Sequence, residues 1–158
     1  MSNTEQATGI AVLPDAANTI QTFHPVSKRL LIADDDPTVR GVIRTFVEAD
    51  GYEVCGEAAD GVEAIDRAAK LKPDLILLDL AMPRLNGAEA ASILRQAMPK
   101  VPILLFTLYA DDFGERLASA VGVNVVLSKP EGLSKLGKHL KALLNPKDEP
   151  PTSASSRA

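Results

Sequence analysis

An unbroken apolar run, Leu75-Ile76-Leu77-Leu78, ends directly on the carboxylate of Asp79. A half-buried strand alternates apolar and polar residues, whereas several apolar residues in succession are typical of a strand that is covered on both faces. Such strands belong to parallel sheets, which bind ligands at the carboxyl ends of their strands. The run therefore predicts a buried parallel strand with Asp79 at the ligand-binding edge of the sheet.

Apolar runs alternate with helical patterns along the chain. The predicted strands are Leu30–Ala33, Tyr52–Gly56, Leu75–Leu78, Ile103–Phe106 and Val123–Leu127. Strands that alternate with helices at short spacing imply right-handed crossovers and parallel pairing. The expected fold class is α/β, with a five-stranded, doubly wound parallel sheet of the flavodoxin-like (βα)5 kind in a three-layer α/β/α sandwich.

Several predicted helices carry recognisable start signals. Asp36 is an N-cap followed by Pro37 at a first helical position. Two further starts have the spacing of a capping box: Asp60 with Glu63, and Asn86 with Glu89. The helix after Asn86 is expected to turn one apolar set inward, namely Ala90, Ile93, Leu94 and Ala97.

The amino-acid composition excludes several classes of protein and of binding site. The 158 residues are 46% hydrophobic and include one cysteine, which excludes an internal disulfide or a cysteine-based zinc site. A net charge of -4 argues against direct nucleic-acid binding.

We expect a mobile N-terminal extension at 1–27, one domain at 28–145 and a disordered tail at 146–158. No apolar run is long enough for a membrane span, and the cytoplasm is the expected compartment.

Polar groups follow four of the predicted strands: Asp34 and Asp35 the first, Asp79 the third, Thr107 the fourth and Lys129 the fifth. The ends of parallel strands share one edge, so these groups are expected to meet. Carboxylates that are close together repel and favour a hard cation such as Mg²⁺. A carboxylate nucleophile, a metal, a hydroxyl and a lysine are the groups that phosphoryl transfer requires.

These segments resemble the receiver domain of bacterial two-component response regulators. The matching motifs are LLIADDDPTVR, DLILLDLAMPRLNG, ILLFT and VVLSKP, within Arg29 to Leu144. The resemblance implies that Asp79 accepts a phosphoryl group from a sensor histidine kinase or a phosphotransfer protein. It also implies a signalling protein rather than an enzyme, whose only catalysis is its own phosphorylation and dephosphorylation.

The resemblance further assigns roles around Asp79. Asp34 and Asp35 would hold Mg²⁺ together with the Asp79 carboxylate and the backbone carbonyl of Ala81. Thr107 would bind a phosphoryl oxygen, and Lys129 would pair with the aspartate or its phosphate. The Lys129-Pro130 bond is expected to be cis, as in the family. The expected partner surface is 112–144, with phosphorylation-dependent homodimerisation as a further possibility.

Four positions depart from the family pattern or fall where the family varies. Val126 stands where the fifth strand usually carries a switching aromatic residue, and Leu108 replaces a small residue after Thr107. Ala81 and Tyr109 occupy positions that tune phosphoryl lifetime in the family. The phosphoryl site is therefore expected to be complete, whereas its usual aromatic readout is missing.

Two alternatives stay open on the sequence alone. A receiver-like interaction module that is never phosphorylated would fit Leu108 and Val126. A haloacid-dehalogenase-like phosphohydrolase would use Asp34 as nucleophile and Asp36 as acid and base, but it leaves Asp79 unexplained. Few residues follow the predicted domain, which favours a stand-alone receiver.

Overall fold

The computed structural model describes residues 26–146, in which helices and strands alternate from end to end. The elements are β1 (Arg29–Ala33), α1 (Pro37–Ala49), β2 (Glu53–Ala58), α2 (Gly61–Leu71), β3 (Leu75–Leu78), α3 (Gly87–Ala97), β4 (Ile103–Thr107), α4 (Asp112–Ala120), β5 (Val125–Ser128), a 3-10 turn (Lys129–Glu131) and α5 (Leu133–Leu144). The strands form one sheet in the order β2-β1-β3-β4-β5, and every pair is parallel. The predicted fold class is confirmed.

The unbroken apolar run of β3 supplies both faces of the sheet. Ile76 and Leu78 join the core layer beneath α2 and α3, whereas Leu75 and Leu77 join the layer beneath α1 and α5. All four side chains are at most 1% exposed. Full burial of such a side chain contributes roughly 2 kcal/mol, so β3 presents Asp79 from a firmly packed strand.

The predicted N-caps are confirmed, although Glu63 accepts from the Ala59 amide rather than from Asp60, so the capping box predicted at α2 is not reciprocal. The Asp36 carboxylate accepts a hydrogen bond from the Thr38 amide at 2.8 Å, and Pro37 begins α1. Asn86 and Glu89 form a reciprocal capping box at the start of α3. The Asp60 carboxylate accepts from the Glu63 amide at 2.8 Å and begins α2.

Two details of the predicted pattern are wrong. Ala90 and Leu94 are buried as predicted, but Ile93 is 45% exposed and Ala97 is also exposed, because Ala91 completes the buried stripe of α3. Ala90 and Ala91 pack in the core layer that α3 shares with α2, which leaves residue 93 on the flank of the helix. The strands β2 and β5 also extend past the predicted carboxyl ends.

The predicted mobile extension and disordered tail fall almost entirely outside the described residues. Within residues 26–146, each helix is too short or too polar to cross a lipid bilayer.

Candidate functional site

The carboxyl end of β3 places Asp79 beside the end of β1. The Asp79 amide donates to the Ala33 carbonyl at 2.8 Å, which continues the parallel ladder by one residue past Leu78. On the other side, a Cβ at Gly87 would collide with the Asp79 carbonyl oxygen. Gly87 therefore allows the first turn of α3 to pack directly on the Asp79 backbone.

Three carboxylates meet at this edge. Asp34, Asp35 and Asp79 each offer one oxygen within 4.8 Å of the others. Asp34 and Asp79 are 1% and 5% exposed, whereas Asp35 lies at the surface. Asp36, the acid and base of the hydrolase alternative, is not in this group, because its carboxylate caps α1.

Lys129 lies between the two buried carboxylates. Its Nζ is 2.7 Å from Asp34 Oδ2 and 3.3 Å from Asp79 Oδ2. Its side chain is 15% exposed, so the ammonium and both partners are largely removed from water. Charged pairs in this setting interact strongly because water screens them poorly.

The Lys129-Pro130 peptide bond is trans, and the prediction of a cis bond is wrong: residues 26–146 contain no cis peptide. Lys129 and Pro130 begin the 3-10 turn Lys129–Glu131, where proline's fixed φ suits the first turn and its missing N–H is not needed. The turn itself, rather than an isomerised bond, directs the lysine towards the site.

The two partners influence each other's protonation. Burial raises the pKa of Asp79; the positive charge of Lys129 opposes this, and the negative charge of Asp34 adds to it, so the pKa of Asp79 is raised. Burial lowers the pKa of Lys129, but the hydrogen bond to Asp34 and the charge of Asp79 outweigh burial, so the pKa of Lys129 is raised. Lys129 therefore stays charged at neutral pH.

Thr107 ends β4 and is fully buried. Its Oγ1 accepts a hydrogen bond from the Tyr109 amide at 3.1 Å. The next two side chains turn outward: Leu108 is 64% exposed and Tyr109 is 56% exposed. Leu108 therefore directs most of its side chain to solvent. Ala81, two residues after Asp79, is exposed as well.

Val126 lies on β5 opposite Leu105 and is half-buried against the α2 and α3 core layer. A surface cavity of about 320 Å³ adjoins it between α4 and β5, with Ala118 and Val123 also in its lining. Open space is thus present at the position where the resemblance implies a switching aromatic residue.

Arg40 is a neighbour of the site that sequence analysis did not single out. Its Nη1 donates to the Asp34 backbone carbonyl at 2.7 Å, and its Nε donates to Glu57 Oε1 at 2.8 Å. Its sequence signal is weak, because an arginine six residues after Asp34 on an amphipathic helix is usually a solvated residue.

The residues at this edge fit a divalent cation. Three carboxylates face one ammonium, so the group carries a surplus of two negative charges. Carboxylate and carbonyl oxygens with room for water are the ligands that Mg²⁺ prefers. The donor set contains no imidazole or thiolate, which softer transition metals would favour.

Comparison with known proteins agrees with this geometry. The family model described as the response regulator receiver domain matches residues 30–141. Response regulator MprA of Mycobacterium bovis (strain BCG / Pasteur 1173P2) is 40% identical over 134 residues, which cover 84% of this chain and 57% of MprA. The alkaline phosphatase synthesis transcriptional regulatory protein PhoP of Bacillus subtilis (strain 168) is 34% identical over 75% of this chain and 49% of PhoP. The chain thus spans about half of the length of these relatives.

The chain also resembles a solved structure in its fold. The Vibrio cholerae chemotaxis protein CheY4 aligns with a TM-score of 0.70 at 32% identity, over 75% of this chain and 99% of CheY4. The family match favours neither of the alternatives raised by the sequence. The chain belongs to the response regulator receiver domain family of two-component signalling and is homologous to the CheY-like phospho-acceptor domains.

Proposed function

We propose that Asp79 is the phospho-acceptor of this receiver and that its phosphorylation switches a protein-interaction surface. The donor is a phosphohistidine on a sensor kinase or a phosphotransfer protein. The observation that carries this proposal is the placement of Asp79: a largely buried carboxylate at a strand end, 3.3 Å from the Lys129 ammonium and within 4.8 Å of two other carboxylates.

The chemical step uses one oxygen of Asp79 as nucleophile. A bond forms between that oxygen and phosphorus while the bond between phosphorus and the donor imidazole nitrogen breaks. The nitrogen keeps the electron pair of the broken bond, and Asp79 becomes an acyl phosphate. Attack needs the ionised carboxylate, and Lys129 supports ionisation because its charge opposes the effect of burial on the Asp79 pKa.

Thr107 and Lys129 act on the transferred group in this proposal. The Thr107 hydroxyl already accepts from Tyr109 N, so its hydrogen is available to donate to a phosphoryl oxygen. The Lys129 ammonium carries three donors and can keep Asp34 while it contacts the phosphoryl group. Both donors are held in place before the reaction, which is the arrangement that stabilises developing charge most effectively.

Asp34, Asp35 and Asp79, with the Ala81 backbone carbonyl, are the proposed holders of Mg²⁺. When bound, the ion offsets negative charge on the phosphoryl oxygens. Asp34 has a second task in this arrangement, because its carboxylate also anchors Lys129. The surplus of negative charge among the side chains supports this assignment.

Downstream signalling is proposed to use 112–144, which includes α4, β5 and α5. Phosphorylation adds charge and acceptor oxygens close to Thr107, and the loop that follows Thr107 leads directly into α4. This surface is the proposed contact for a partner protein or for a second copy of the phosphorylated chain. We propose that the protein performs no catalysis beyond its own phosphorylation and dephosphorylation.

Incubation with acetyl phosphate and Mg²⁺ tests the proposal, with intact-mass spectrometry as the readout. We expect the wild-type protein to gain the mass of one phosphoryl group and Asp79→Asn to gain none. Asp36→Asn is the matched control, because it removes a neighbouring aspartate that caps α1 and should still be labelled. If wild type stays unlabelled where another receiver is labelled, the chain is an interaction module rather than a phospho-acceptor.

A further inference from the structure

The guanidinium of Arg40 joins the acidic cluster to the second strand. Nη1 donates to the Asp34 carbonyl oxygen at 2.7 Å, and Nε donates to Glu57 Oε1 at 2.8 Å. The Arg40 side chain is 18% exposed, so these contacts are partly shielded from water. One side chain of α1 therefore connects the end of β1 with β2.

The Asp34 carbonyl belongs to the peptide unit that leads into Asp35. Because the peptide unit is planar, fixing its oxygen also fixes the plane from which the Asp35 side chain departs. The rest of Asp34 is held independently: its amide donates to the Ala58 carbonyl at 3.0 Å, and its carboxylate binds Lys129. The Asp36 amide also donates to Asp34 Oδ1 at 2.9 Å, and Arg40 is the side chain that fixes the carbonyl oxygen of the peptide between Asp34 and the exposed Asp35.

The positive charge of Arg40 is neutralised by its ion pair with Glu57. Glu57 also accepts from Arg44, and Arg44 in turn contacts Glu48, so two arginines and two glutamates form a neutral network. A guanidinium that was not neutralised beside three carboxylates would compete with a cation for them. With Glu57 as its counter-ion, Arg40 can orient the Asp34 peptide with little competition for the cation.

We infer that Arg40 is a positioning residue for the metal site: it orients the Asp34-Asp35 peptide so that the Asp35 carboxylate joins those of Asp34 and Asp79. The inference rests on the proposed function, since it concerns the proposed Mg²⁺ site. Outer groups that orient ligands commonly change metal affinity by at least tenfold when removed. An arginine fork suits this task better than a lysine, because its donors point in fixed directions.

The test is a calorimetric Mg²⁺ titration of the full unphosphorylated chain and its variants. We expect Arg40→Ala to weaken Mg²⁺ binding by about tenfold. Arg44→Ala is the matched control: it removes an arginine of the same network that does not contact Asp34, and it should change the affinity by less than about twofold. Glu57 keeps one arginine partner in each variant, and Arg44→Ala additionally releases Glu48, whose side chain lies at the surface.

A second readout separates positioning from a general loss of structure. In acetyl phosphate labelling, Arg40→Ala should raise the Mg²⁺ concentration for half-maximal rate by about tenfold, while the rate at saturating Mg²⁺ recovers towards wild type. Arg40→Lys preserves the charge and the apolar stem and should give an intermediate loss, which keeps the test decisive if the alanine variant fails to fold.

The outcomes are distinct. Equal Mg²⁺ affinity in wild type and both Arg40 variants overturns the inference and leaves the proposed function standing. Equal weakening by Arg40→Ala and Arg44→Ala also overturns it, because the network as a whole would then be responsible. Wild type without measurable Mg²⁺ binding overturns the proposed metal site and the inference together.

Discussion

Lys129 Nζ lies 2.7 Å from Asp34 Oδ2, closer than the 3.3 Å that separates it from Asp79. The shorter contact joins residues 95 apart in sequence, and both partners are largely buried. Asp34 is therefore the main anchor of the lysine before phosphorylation. Asp79 stays close enough for the positive charge of Lys129 to favour its ionised form. The longer contact, between Lys129 and Asp79, is the easier of the two to replace with a contact to a phosphoryl group.

Lys129→Met is expected to destabilise the protein, because it leaves two buried carboxylates without their counter-ion. Breaking a buried ion pair on one side typically costs about 3 kcal/mol. Urea unfolding without Mg²⁺ measures this loss, and added Mg²⁺ should restore part of it by binding the folded state. Lys135→Met is the control: its partner Glu131 lies one helical turn away at the surface, so the change should stay below about 0.5 kcal/mol. Equal effects from both variants would contradict a special role for Lys129.

Asp79→Asn is expected to stabilise the metal-free protein by about 1 kcal/mol, because it removes one of three repelling carboxylates. The pH dependence follows from the raised pKa of Asp79. An acid with a raised pKa in the folded state favours protonation there, so its ionised form reduces stability at neutral pH. The advantage of the variant should shrink as pH falls from that raised pKa towards the ordinary value near 3.9.

Thermal and urea unfolding in the presence of a chelator, from neutral pH to about pH 4, measure this difference. Asp66→Asn is the control, since Asp66 lies on the surface of α2 with 59% of its side chain exposed, and its effect should stay within about 0.5 kcal/mol. A stabilisation by Asp79→Asn that grows towards acid pH would contradict the assigned direction of the pKa shift.

Much of the fold and site could be predicted from the sequence because both depend on strand ends. The apolar runs before Asp34, Asp79 and Thr107 mark buried parallel strands, and parallel strands bring their carboxyl ends to one edge. Hydrophobic pattern and order along the chain thus determine which polar groups meet. Lys129 could be predicted for the same reason, because it comes directly after the fifth strand of the sheet.

Other features needed the three-dimensional arrangement. The contact of Arg40 with the Asp34 carbonyl depends on where a long side chain folds back, and spacing does not encode that. Ile93 was expected inside because apolar residues at 90, 93, 94 and 97 share a broad face, but the alanine-lined contact of α3 selects a narrower stripe. The cis bond at Lys129-Pro130 was transferred from the family, and the 3-10 turn takes its place here.

Gly87→Ala is expected to destabilise the protein by about 2 kcal/mol or more, because the new Cβ collides with the Asp79 carbonyl oxygen. This clash is with backbone, so it cannot be relieved without moving α3 or β3. Gly41→Ala is the matched control: nothing lies within 4 Å of its Cβ position in α1, so alanine should stabilise the helix by about 0.5–1 kcal/mol. Urea unfolding gives both values, and acetyl phosphate labelling should slow only in Gly87→Ala. A neutral Gly87→Ala would show that the start of α3 can shift without disturbing Asp79.

Val126→Tyr is expected to be tolerated, with a change in unfolding free energy below about 1 kcal/mol, because the ring can enter the open cavity beside β5 rather than a closed core. If a ring at this position couples Thr107 to the α4 surface, phosphorylation should shift the amide NMR signals of α4 and β5 more in the variant than in wild type. Val123→Tyr, which fills the same cavity farther from Lys129, should leave the shifts at the wild-type level. Equal shifts in all three proteins would show that the loop after Thr107 transmits the signal without an aromatic side chain at residue 126.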